Sequence, residues 1–281
     1  MRKLLWALTA ILYCTSVSAE TNIKVVSRGD GNARYAIAMI ELAMQKIGEP
    51  YSLDIQEGVL TAARQQQDVA EGNIDIIWAA TTNEVEQILL PVRVPLYKGL
   101  LGYRVFIIHA DNKNLFARVD TFDDLKSYVF GQGRGWPDTD IMRHNGLKVE
   151  TGTYEGLFLM ADGQRFAAFP RGINEPWSEI EALPELELAV DQHVMLVYRM
   201  PFYLFVTPTR PELAEMIERG LMLAINDGSF DEQFLNDPMV QMVIERGNIA
   251  SRKAFDLTNP DLPEATPIDN PDLWFDVSLI Q

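Results

Sequence analysis

Residues 129–140 (VFGQGRGWPDTD) concentrate the residue types that can recognise a small polar molecule. A short apolar strand runs into Gly131, Gly133 and Gly135, and a helix then starts with Pro137 near its first position and acids in its first turn. At the C-terminal edge of a parallel sheet such a turn faces its backbone N–H groups outward, where open α/β sheets bind small ligands. Gln132, Arg134, Gly135 and Trp136 would stand at the rim of whatever binds there. The spacing of the glycines is not that of a dinucleotide fingerprint. A plain strand-to-helix turn is the bland alternative, and the stretch alone leaves it open.

Further candidates lie elsewhere in the chain. Trp78 ends a buried strand and either packs in the core or stacks on a ligand, while Tyr97 sits in a segment expected at a cleft mouth. Arg171 follows a strand and precedes Gly172, so its guanidinium either meets an anion or forms a surface salt bridge. His109, His144 and His193 are scattered, with no cysteine beside them, and predict no metal centre. No nucleophile elbow, phosphate loop or paired carboxylates stand out, so the sequence predicts neither an enzyme nor a cofactor.

The elements that must position these groups alternate in type. Strands are expected at 22–27, 51–56 and 74–80, with helices at 33–47 and 61–71 between them. An extended segment at 91–102 leads to a strand at 103–109. A second α/β set then covers 121–190, the chain is extended over 194–206, and helices follow at 210–225 and 230–235. The Pro/Asn/Asp-rich tail is expected to wrap the surface, anchored by Trp274 and Phe275. This order predicts a mainly parallel α/β protein in two lobes around a cleft. Residues 20–109 and 201–281 form the first lobe and 110–200 the second, with hinges near 108–112 and 199–205.

Arg2 and Lys3, an apolar run to Tyr13 and the small residues before Glu20 read as a secretory signal peptide over 1–19, cleaved after Ala19. Cys14, the only cysteine, lies inside it. The remaining chain needs no disulfide, since roughly 260 residues can bury a large core. The formal charge of −16 speaks against nucleic-acid or anionic-membrane partners. No later segment is apolar enough to insert in a membrane, and a monomer in a bacterial periplasm is expected.

Three stretches resemble the periplasmic solute-binding proteins of the amino-acid ABC-transporter type (family 3), whose fold is the two-lobe type 2 periplasmic-binding fold. They are residues 201–234 (PFYLFV, then PEL opening a helix, then INDGSFDEQF), residues 70–77 (AEGNIDII) and residues 159–169 (LMADGQRFAAF). The resemblance implies a ligand cleft walled by Trp78, Ala79, Thr81, Thr82, Glu84 and Tyr97 on one side. On the other stand Gln132, Arg134, Gly135, Trp136 and Arg171. It also implies an ABC permease as partner.

The chain departs from the family pattern at two charges. Where the family places an Arg for the ligand α-carboxylate, this chain has Thr81-Thr82-Asn83-Glu84, and where the family has an Asp for the α-amino group it has Arg171. The expected ligand is therefore small, polar and anionic rather than a free α-amino acid, with Glu84 able to pair a cation instead. A periplasmic enzyme of the cyclic-acid dehydratase kind, using Glu84 or Glu175, and a sensory module for a separate membrane partner are the rival readings.

Overall fold

The computed structural model describes residues 20–276. The signal-peptide reading of 1–19 lies outside the described residues.

The first lobe begins with β1 (Thr21–Ser27), α1 (Gly31–Ile47), β2 (Tyr51–Glu57), α2 (Ala62–Ala70), β3 (Ile76–Ala80), α3 (Asn83–Ile88) and β4 (Leu90–Val92). The second lobe contains β5 (Tyr103–His109), α4 (Phe122–Leu125), β6 (Val129–Gly133), α5 (Pro137–His144), β7 (Lys148–Gly152) and α6 (Tyr154–Asp162). It continues through β8 (Phe169–Gly172), α7 (Pro176–Glu181), β9 (Leu188–Val190) and β10 (Val194–Val197). The chain returns to the first lobe with β11 (Phe202–Val206), α8 (Pro211–Asn226), α9 (Ser229–Asn236) and α10 (Pro238–Arg246), and then sends β12 (Lys253–Asp256) back to the second.

Both lobes follow one plan. In the first, β1 and β2 pair in parallel, and β11 runs antiparallel between β3 and β4. Lys24 and Asp75 join the two sets, the Lys24 N–H donating to Asp75 Oδ2 at 2.7 Å and the Asp75 N–H to the Lys24 carbonyl at 2.9 Å. In the second, β6 pairs in parallel with β7 and lies beside β8 through a Phe130–Ala168 bridge, while β5 runs antiparallel to β8, β9 and β10. Each sheet thus receives one antiparallel strand from a chain that has just crossed between the lobes.

The boundary differs from the sequence expectation. β5, expected to end the first lobe, belongs to the sheet of the second, because its partners are β8, β9 and β10. The crossings consequently fall near 100–102 and 198–201. They run side by side, with the Tyr198 N–H donating to the Gly102 carbonyl at 3.0 Å. A Cβ on Gly102 would stand 2.0 Å from the Tyr198 carbonyl oxygen, so only glycine permits that approach. Because β12 pairs with β10, the chain crosses twice more, before and after it.

The core of the first lobe is the packing of α1 on α8. Asp30 caps α1 by accepting from the Ala33 N–H at 2.8 Å, and Gly48, at φ 74°, ends it. Tyr35, Met39, Ile40 and Met44 bury against Ile217, Leu221 and Ala224. A second core gathers Phe106, Phe116, Phe130 and Met142 under β5 and β6. Among the described residues, no helix is long and apolar enough to cross a membrane.

Candidate functional site

A cavity of about 930 Å³ opens between the lobes. Its walls are the turn from β1 into α1, the β3–α3 junction, the start of α5, Tyr154 on α6, the β8–α7 segment, and the tail residues Asn259, Pro260 and Asp261. The strand ends place it there: β1, β3, β6 and β8 all present their C-terminal ends to it, as parallel sheets do.

The second-lobe wall is a buried ion network. Arg171 on β8 points into a double carboxylate partner, reaching Glu175 at 2.9 Å and Glu179 at 2.5 Å. Its guanidinium also lies 4.9 Å from the ring centre of Trp136 and 5.6 Å from that of Tyr154. Arg104 on β5 pairs with Asp138 at 2.7 Å and approaches Glu175 at 3.6 Å. Glu175 sits at the centre, accepting from the Gly172 N–H at 2.8 Å and from Asn32 of the first lobe at 3.0 Å. Asp138 also accepts from the Tyr198 hydroxyl.

Electrostatics follow from burial. Burial pushes the Glu175 carboxyl up, and Arg171 and Arg104 pull it down only part of the way. Burial opposes the charge on Arg171, but Glu175 and Glu179 more than offset it and hold it above the ordinary arginine range. Burial and then Glu179 raise the Tyr154 hydroxyl, which donates to Glu179 at 2.8 Å. Both buried arginines are thus met by carboxylates, two guanidiniums facing three carboxyl groups.

Of the residues expected to meet ligand, Trp78, Ala79, Thr82, Glu84, Gly135, Trp136 and Arg171 line this cavity. The other four do not. Tyr97 is a core residue, 1 % exposed, stacked on Tyr35 with ring centres 4.4 Å apart. Thr81 is buried and donates to Glu86 at 2.6 Å. Gln132 is fully buried and bridges strands, donating to the Pro170 carbonyl at 3.1 Å and accepting from the Gly133 N–H at 3.0 Å. Arg134 is exposed outside the lining. The glycine turn itself makes room for an aromatic ring, since a Cβ on Gly133 would fall 2.0 Å from Trp136.

Arg171 was expected either to meet an anion or to form a surface salt bridge; it lines the cavity and is ion-paired with Glu175 and Glu179, in a buried position rather than at the surface. The sequence carried the signal, because Arg171, Glu175 and Glu179 stand four residues apart. Asp138, Tyr154 and Asp261 were not singled out from the sequence, and Arg104 was expected only to support the lobes or hinge; they come from α5, α6, the tail and β5, and no local spacing links them. Away from the cavity, His109, Asp111 and Glu187 bring ligand-type atoms within 4.8 Å of one another. There His109 Nδ1 already accepts from the Asp111 N–H at 3.2 Å.

No protein-family model matches the sequence, and neither does any curated protein. Solved structures do match. An ancestral arginine-binding protein bound to arginine aligns at TM-score 0.57 and 15 % identity, over 78 % of this chain and 99 % of its own. A histidine kinase sensor domain similar to periplasmic binding proteins aligns at TM-score 0.56 and 10 % identity, over 78 % of this chain and 96 % of its own. An arginine third transport system periplasmic binding protein from Legionella pneumophila aligns at TM-score 0.55 and 12 % identity, over 78 % and 99 %. The chain has the two-lobe type 2 periplasmic-binding fold, the fold of amino-acid-binding periplasmic proteins.

Proposed function

We propose that the protein is a periplasmic solute-binding protein that captures a small polar solute between its lobes and delivers it to an ABC permease in the membrane. The observation that carries this reading is the cavity of about 930 Å³ walled by both lobes and by the crossing tail. Its size falls within the range of small-molecule sites. Side chains from both lobes reach it, so a ligand gains more contacts when the lobes approach, and that difference in affinity drives closure. Arginine-binding and transport-system proteins share the fold, which supports the same role here. The leader over 1–19 fits export to the periplasm.

Thermal-shift and calorimetric screening against amino acids, organic acids, amines and small peptides tests the proposal. A saturating ligand raises the melting temperature by mass action. Absence of any shift across all classes at millimolar concentration would sink it. A second reading, an enzyme, is favoured by one observation: Glu175 is a buried carboxyl in the cleft with a raised pKa. Its engagement by two arginines and a backbone N–H suits a wall better than a proton donor. Ligand turnover that disappears in Glu175→Gln would reverse that preference.

A further inference from the structure

We propose that the cleft selects a small organic cation, an amine or guanidinium that carries no carboxylate of its own. This rests on the solute-binding reading above and names its ligand class.

Four arginines and seven carboxylates line the cavity. The two buried arginines are compensated. Arg104 meets Asp138 at 2.7 Å and Glu175 at 3.6 Å, and Arg171 meets Glu175 at 2.9 Å and Glu179 at 2.5 Å. A ligand carboxylate brought to either would face the acids already there, and like charges in a shared low-dielectric site repel strongly. Of the other two, Arg28 lies 3.7 Å from Asp30 and 5.5 Å from the Tyr154 ring centre, and Arg34 is exposed to water and donates to the Gly29 carbonyl at 3.1 Å.

Three lining carboxylates have no cation within ion-pair distance among the described residues: Glu84 on α3, Asp140 on α5 and Asp261 on the tail. They come from the first lobe, the second lobe and the crossing segment, so every moving part brings an unpaired carboxylate to the cavity wall. Asp261 uses only Oδ1 within the chain, accepting from the Asn83 side chain at 2.7 Å, and its second oxygen stays available. Half-buried Trp78 adds an aromatic face on the first-lobe wall. The cleft already holds one guanidinium, that of Arg171, against Trp136 at 4.9 Å. A net negative, partly enclosed cleft also raises the local concentration of cations and slows the approach of anions.

The experiment is titration calorimetry and thermal shift on the purified protein with matched probes. Agmatine, putrescine and choline form the cationic set, L-arginine and L-ornithine the zwitterionic set, and succinate, L-glutamate and inorganic phosphate the anionic set. The expected result is saturable binding by at least one cationic probe, at least tenfold tighter than by its zwitterionic counterpart, weakening as salt rises. Glu84→Gln, Asp140→Asn and Asp261→Asn should each weaken that binding several-fold without lowering the melting temperature of the free protein. Tighter binding of an anion, or of arginine over agmatine, overturns the inference while leaving the solute-binding reading intact. Binding of a cation that none of the three variants changes also overturns it. Failure of all three sets to bind overturns the solute-binding reading, and this inference with it.

Discussion

Asn32 Nδ2 donates to Glu175 Oε1 at 3.0 Å, joining the first turn of α1 in one lobe to the β8–α7 segment of the other across the cleft. The acceptor is a carboxylate that Arg171 and Gly172 already fix in place, so the bond reports lobe position rather than side-chain wandering. A hydrogen bond to a charged group contributes about 1.5–3 kcal/mol, and it exists only while the lobes are near. Asn32→Ala should therefore shift the lobes toward separation roughly tenfold or more in equilibrium constant. Spin labels on exposed Ala63 of α2 and His144 of α5 would read it, since Cys14 is the only native cysteine. An unchanged label distance in the variant would count against the tie.

Arg171 is 5 % exposed and is held by Glu175 and Glu179. Arg171→Met would leave those two carboxylates without it in a buried wall, and losing one partner of a buried ion pair costs about 3–5 kcal/mol. Arg171→Lys keeps the charge but loses the planar fork that reaches both glutamates, so a smaller drop is expected. Urea unfolding midpoints would rank the three proteins wild type, Lys, Met. A Met variant as stable as wild type would remove the network from the list of things that hold the cleft wall.

The exposed Asp227 after α8 offers a pH test away from the cleft. A hydrogen bond from Lys46 first, and then Ser229, hold its carboxyl down to about 2. Lys46 Nζ reaches it at 2.6 Å. A carboxylate depressed in the folded state stabilises above its unfolded pKa of about 3.9 and loses that contribution as pH falls through the folded value. Asp227→Asn should accordingly be less stable than wild type at pH 6, with the gap closing between about pH 4 and about pH 2. Thermal melts at those pH values would show it. A constant gap across the range would mean that the charge is not what the interaction uses.

Much of the fold was legible because its signals are local. The apolar spacing of Ile37, Ile40, Met44 and Ile47 with Gly48 after them gave α1 within a residue or two, and the strand at 74–80 contains β3. What failed was nonlocal. Tyr103–His109 has an apolar centre, Val105 to Ile108, and such a strand says that it is buried but not in which sheet, so β5 was expected in the first lobe although it pairs with β8. Tyr97 lay in an extended, proline-rich segment typical of a cleft mouth, and only the fold reveals Tyr35 as its stacking partner. Thr82 with Glu84 and Glu86 after it did carry a helix start, and the Thr82 side chain does accept from the Val85 N–H at 3.1 Å. That signal was readable and α3 was still missed.

The tail holds the least expected structure. The wrapping tail with Trp274 as anchor is present, with Arg199 4.7 Å above the Trp274 ring and the Phe275 N–H donating to the Lys98 carbonyl at 2.8 Å. Between β12 and that anchor, the tail spans the cleft. Asn145 of the second lobe donates to the Thr258 carbonyl at 2.8 Å and accepts from its N–H at 3.1 Å. Three residues on, Asp261 accepts from the side chain of Asn83 in the first lobe at 2.7 Å. Three residues reach about 10 Å when fully extended, so while both ties hold, the lobes cannot part further at this edge. The Asn145–Thr258 hydrogen bonds contribute about 0.5–1.5 kcal/mol each and the one to the Asp261 carboxylate about 1.5–3 kcal/mol, enough to bias opening without locking it. Asn83→Ala and Asn145→Ala should each broaden the Ala63–His144 label distance distribution of the ligand-free protein, and the double variant should add little, because cutting either end frees the strap. Amide exchange at residues 258–261 should quicken in both single variants. Additive broadening, or slow exchange that persists in both, would show that the tail follows the lobes instead of restraining them.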